Sequence, residues 1–119
     1  MSSANENSNP LHPLLGEELS AVVFVRDYVQ LQFDGPGLTL INDPTVITNA
    51  TKYQPALPGY RDALCERIGK SVSNAQVAEG DELRIDFNDG STILISLRPG
   101  DYIGAEAAIF NHGEETWVW

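Results

Sequence analysis

Cysteine is nearly absent: Cys65 is the only one in 119 residues. One thiol closes no internal disulfide and builds no multi-cysteine zinc site, which fits a reducing, cytoplasmic home. Positive charge is scarce as well. Seven Lys and Arg stand against 17 Asp and Glu, for a net charge of −10. Binding phosphates needs clustered cations, so no nucleic-acid partner is expected. Anionic membranes are disfavoured for the same reason. No apolar run approaches the roughly 18 residues that span a bilayer, and residues 1–10 hold neither a basic nor an apolar signal region.

Chemical motifs are missing too. Gly35-Pro-Gly37 is followed by neither a helix nor a lysine, so it is no phosphate cradle. His12 and His112 lie far apart and near turns, which makes no zinc signature. No G-x-S-x-G elbow occurs. Asp86-Phe-Asn88-Asp-Gly90 superficially suggests a calcium loop, but its fifth and sixth positions are Gly90 and Ser91 and no glutamate follows at the twelfth. It reads as a hairpin turn. Asn49-Ala50-Thr51 matches a glycosylation sequon, taken as chance without a secretory route. No catalytic residue, metal or cofactor follows from any of this.

What is present is a globular composition with an internal repeat. Hydrophobic residues make up 42% of the chain, enough to bury a core in one domain. Residues 1–10 are rich in Ser, Asn and Glu and predict a disordered tail. Thereafter Leu11, Leu15, Gly16, Leu19 and Ser20 align with Leu64, Ile68, Gly69, Val72 and Ser73. The segment 27–33 aligns with 81–87, Asp34-Gly35 with Asp89-Gly90, Leu38 and Leu40 with Ile93 and Ile95, and Pro44 with Pro99. The second copy is longer near Gly80 and near Asn88, as turns tolerate. The repeats run from about 11 to 44 and from 64 to 99 within a single domain, 11–119.

Each copy reads as a three-stranded antiparallel meander. Residues 19–25 are rich in β-branched side chains, and Val29, Leu31 and Phe33 alternate with Gln30 and Gln32, the signature of a half-buried strand. Residues 34–37 make a turn and 38–41 return. Residues 73–78, 83–87 and 91–97 do the same, with Leu83, Ile85 and Phe87 inward and Arg84 and Asp86 outward. Residues 42–59 carry Pro44, Pro55 and Pro58 and read as a linker. Residues 60–68 read as a short helix with Tyr60, Leu64 and Ile68 on one stripe, stopped by Gly69. A final hairpin is expected from 106–110 to 116–119 across residues 111–113. The predicted fold is mainly β with one short helix: two meanders related by an approximate two-fold, as a sandwich or a partly open barrel, plus the C-terminal hairpin.

Two residue groups stand out. Glu79, Asp81, Glu82, Asp86 and Asp89 lie on one strand and its flanking turns. With Glu114 and Glu115 they form a candidate negative interaction face for a basic protein. Tyr28, Cys65, Arg98, Tyr102 and Glu106 are candidates for a cleft between the repeats. Glu106 sits in an apolar run, where a carboxylate needs a partner or an edge; Arg26 or Arg98 would serve.

The segments 26–35, 59–65 and 104–110 resemble small bacterial proteins of unknown function. The doubled strand–Asp-Gly–strand unit resembles families in which some members are thought to act as toxin immunity proteins. The resemblance implies no catalytic residue. Three roles follow: a non-enzymatic protein-binding module, immunity-like or regulatory; a small-ligand binder or enzyme with its site between the repeats; and a homodimer that covers its own sheet edges.

Overall fold

A computed structural model describes residues 9–119. The expected tail lies, for residues 1–8, outside the described residues. Asn9 already belongs to the domain: its side-chain amide donates to the Ala75 carbonyl at 2.9 Å and accepts from the Leu11 N–H at 3.1 Å.

The first meander is β1 (Leu19–Val25), β2 (Tyr28–Phe33) and β3 (Gly37–Leu40). The second is β6 (Val72–Ala78), β7 (Glu82–Phe87) and β8 (Thr92–Ser96). Residues 42–59 are no plain linker. They hold a hairpin, β4 (Thr45–Thr48) and β5 (Thr51–Tyr53). The β-branched run Thr-Val-Ile-Thr overrides its proline neighbours, because Pro44 precedes β4 while Pro55 and Pro58 follow β5, so no ladder loses a donor. The last hairpin is β9 (Ala108–His112) and β10 (Glu115–Val118). Its loop is the pair Gly113-Glu114, with Asn111 and His112 paired inside the ladder rather than forming the turn.

The strands form two five-stranded antiparallel sheets, ordered β1-β2-β3-β9-β10 and β5-β4-β8-β7-β6. This is a sandwich, not a closed barrel. Each meander is completed by the hairpin that follows the other one. The chain leaves β3 and places β4–β5 on β8; it leaves β8 and places β9–β10 on β3. The repeat therefore reaches beyond Pro44 and Pro99. Val46 pairs with Ile93 and Tyr53, as Phe110 pairs with Leu38 and Trp117. Tyr53 and Trp117 are thus equivalent, and both pack against the core.

The two-fold relation is visible in backbone bonds. Gly16 N–H donates to Val72 O at 2.9 Å and its equivalent Gly69 N–H donates to Leu19 O at 2.7 Å. Val72 N–H donates to Glu17 O and Leu19 N–H to Lys70 O, at 2.9 and 3.1 Å. The bridge Glu18–Ser71 joins equivalent residues, so the axis passes there. Gly16 and Gly69 have φ of 82° and 89°, a conformation that side chains resist. Each first strand then bulges, after Leu19 and after Val72. The bulge hydroxyls bond across, Ser20 to Gln32 O at 2.8 Å and Ser73 to Asp86 O at 3.3 Å.

Inward positions close over one core. Leu31, Phe33, Leu38, Leu40 and Phe110 from one sheet meet Val46, Leu83, Ile85, Phe87, Ile93 and Ile95 from the other. Burial of each such side chain contributes about 2 kcal/mol. The helix spans Tyr60–Cys65, shorter than residues 60–68. Beyond Cys65 the chain turns, and this rotates Arg67 inward and leaves Ile68 43% exposed. The stripe of Tyr60, Leu64 and Ile68 therefore ends at Leu64. Among the described residues no helix is long and apolar enough to cross a membrane.

The β4–β5 loop carries a local strain. Asn49 and Ala50 have φ of 52° and 63°, the signs of a type I′ turn, which suits Asn but not Ala at these positions. We predict that Ala50→Gly raises stability by about 1 kcal/mol, a melting-point gain of about 4 °C. An unchanged or lowered melting temperature contradicts that assignment.

Candidate functional site

The outward positions of β7 are Glu82, Arg84 and Asp86, and they stand opposite Ser96, Leu94 and Thr92 of β8. Alternation along β7 forces this arrangement, since Leu83, Ile85 and Phe87 take the core side. Asp86 accepts from Thr92 Oγ1 at 2.6 Å, from Arg84 Nε at 3.0 Å and from Asn74 Nδ2 at 3.4 Å. Partial burial pushes its carboxyl upward, but these donors outweigh burial and hold it below the ordinary carboxylate range. Asp89 follows the same logic. Desolvation raises it, while the Ser91 hydroxyl and N–H, with Arg67, draw it below its ordinary value.

The Arg67 guanidinium is buried, at 4% exposure. Its Nε donates to Ala63 O at 3.1 Å and its Nη1 to Asp89 Oδ2 at 3.0 Å, with Glu66 3.6 Å from Nη2. The repeat sets Arg67 against Leu14, a fully buried leucine. Aligning the copies therefore marks Arg67 as a charge at an apolar position, a signal the sequence itself carries.

The acidic group so divides. Asp81, Asp86 and Asp89 are each ion-paired, to Arg98, Arg84 and Arg67. Glu79 accepts from the Trp119 indole N–H at 3.1 Å. Glu82 and the Asp81–Arg98 pair border a half-open dish of about 440 Å³. Its carboxylates are Asp43, Asp81, Glu82 and Asp101, and its cations are Lys52 and Arg98.

Asn42 holds the dish together. It is buried, donates from Nδ2 to Ser96 O at 2.8 Å, and accepts the Ile103 N–H on Oδ1 at 3.2 Å. It thereby ties the β3–β4 crossover to β8 and to the chain leaving β8. Ser96 Oγ donates to Asp101 at 2.6 Å and accepts the Arg98 N–H at 3.2 Å, fixing the rim. Neither Asn42 nor Asp43 was singled out from sequence; Asn42 aligns with Leu97, another polar residue at an apolar position.

The five cleft candidates are not brought together. Arg98 lines the dish. Tyr28 lines a groove of about 520 Å³ with Phe24, Arg26, Asp43, Tyr60 and Arg61. Tyr102 lines another of about 490 Å³ with Glu79, Leu97 and Trp119. Cys65 is exposed on the helix. Glu106 is exposed as well, outside the buried pair Ala107-Ala108. It needs no ion pair, because water solvates it; Arg98 pairs instead with Asp81, at 2.9 Å. In the first groove the Tyr60 hydroxyl donates to Pro44 O at 2.6 Å, and burial, then Asp43, pushes its phenol above the ordinary value.

Two of the dish carboxylates are held in place, Asp81 by Arg98 and Asp101 by Ser96, and the hydroxyls of Thr45 and Ser96 line it as well. His12 and His112 are exposed and line neither the dish nor the two grooves. Four carboxylates against two cations leave the dish a formal charge of −2. No protein-family model matches this chain, and comparisons with curated proteins and with solved structures return no match.

Asp86 and Asp89 have lowered folded pKa values, so their contribution to stability is present above the unfolded carboxylate pKa and fades as pH falls through the folded value. Urea unfolding midpoints should hold from neutral pH down to about 4 and then fall. Asp86→Asn with Asp89→Asn should lower stability at pH 7 and shrink the acid loss. An identical acid profile in that variant would remove these two groups as its source.

Proposed function

We propose that this protein is a non-enzymatic protein-binding module, immunity-like or regulatory in kind, that takes a basic protein surface on the outer face of its second sheet. The carrying observation is the dish itself, lined by four carboxylates and two cations, with a rim held by Asn42 and Ser96. Pre-fixed charges lower the cost of ordering on binding. The chain's charge of −10 adds long-range steering of a basic partner. The doubled Asp-Gly hairpin resemblance supports the immunity-like form of this reading. The polar lining suits a protein loop bearing Lys or Arg better than an apolar small molecule.

The test is affinity capture from the host, comparing the native chain with Asp43→Lys, Glu82→Lys, Asp101→Lys. The expected outcome is a basic protein retained by the native chain, released by salt, and bound roughly tenfold more weakly by the triple variant. Recovery of the same protein equally by both forms places its interface elsewhere.

A further inference from the structure

The repeat makes the two grooves counterparts. The first surrounds the Arg26-Asp27 turn between β1 and β2. The second surrounds the Glu79–Asp81 turn between β6 and β7. Register and alignment equate Arg26 with Glu79, and Pro55 with Trp119, because Tyr53 and Trp117 occupy the same ladder position. In the second groove, Trp119 lays an indole along the wall and donates its N–H to the Glu79 carboxylate. The chain thus shows an aromatic ring with a donor meeting an acceptor at that turn.

The first groove lacks that ring and inverts that charge. Pro55 stands where Trp119 would, and a guanidinium stands where the carboxylate would. Arg61 adds a second cation, its Cζ 5.3 Å from the Phe24 ring centroid, so it is stacked on the wall. Arg26 and Arg61 make no ion pair among the described residues, whereas Arg67, Arg84 and Arg98 do. Tyr28, Tyr60 and Ile41 supply flat and apolar lining.

We propose that this groove binds a small aromatic carboxylate, its ring against the tyrosine-lined wall and its carboxylate on Arg26 and Arg61. The ligand reverses the internal pair, bringing acceptor to donor where Trp119 brings donor to acceptor. Asp27 and Asp43 border the same groove and bring its formal charge to zero, so a monoanion must be held by direct bonds to the two guanidinium groups, and a polyphosphate would leave a large uncompensated negative charge. This site is separate from the protein-binding reading of the dish, although Asp43 borders both.

The probes are phenylacetate, indole-3-acetate and the neutral isostere 2-phenylacetamide. Each is titrated into the full chain and followed by amide NMR shifts. One of the two acids should bind, with shifts centred on residues 24–29, 41–43 and 60–61, and at least about tenfold more tightly than phenylacetamide. Arg26→Gln with Arg61→Gln, both exposed positions, should remove that preference. Pro55→Trp should fill the groove as Trp119 does its counterpart and abolish binding, with the remaining spectrum unchanged. The proposal is overturned if neither acid binds at about millimolar concentration. It is equally overturned if acid and amide bind alike, if shifts centre on the Trp119 groove, or if the double arginine variant binds as the native chain does.

Discussion

The structure depends on one constraint: neither meander can complete its sheet without the hairpin that follows the other. The chain meets this by crossing between sheets twice, after Leu40 and after Ser96, so that each half closes the other. The Gly16–Val72 and Gly69–Leu19 bonds, with the Glu18–Ser71 bridge between them, lock the two halves at their axis. Both glycines there take a backbone conformation that a side chain resists, which is why they recur at equal spacing in the repeat. Burial of one shared core then follows from strand alternation.

Where the halves differ, the chemistry collects. Leu14 fills an apolar position that Arg67 fills with a paired charge. Leu97 packs where Asn42 bonds two crossovers. Pro55 leaves open what Trp119 lines, and Arg26 replaces Glu79. Duplicated halves keep their core positions for stability and are free to diverge at turns and crossovers, where a side chain changes a surface without emptying a core. The dish and the arginine-bearing groove lie at such places, and they share Asp43 on the first crossover.

Much of this was legible in the sequence. Period-two alternation placed both meanders and their buried faces, and the paired Gly, Ser, Asp-Gly and Pro matches identified the duplication. The hairpin of β4 and β5 was not legible because three nearby prolines masked four β-branched or hydroxyl residues that suffice for a strand on a ready-made edge. The helix ran too long because a stripe counted at helical spacing cannot see the turn that exchanges Arg67 for Ile68. Of the residues that stand out in the sequence, Asp81, Glu82 and Arg98 meet in the dish, whereas Tyr28, Tyr102 and Glu106 lie apart. Alternation says which face a residue takes; which turns become neighbours depends on the crossovers, and those are long-range pairings with no local signature. Asn42 and Arg67 were within reach, since the repeat alignment itself sets each against a leucine.

The most direct test of the reciprocal exchange is a single cut in the loop between β5 and the helix, made in the folded chain through a protease site inserted between Ala56 and Leu57. The account predicts that both fragments stay together in a particle of the same mass as the uncut protein, with an unchanged near-ultraviolet spectrum, and separate only in denaturant. Fragments that part in native buffer, with either one keeping its folded spectrum alone, would contradict it.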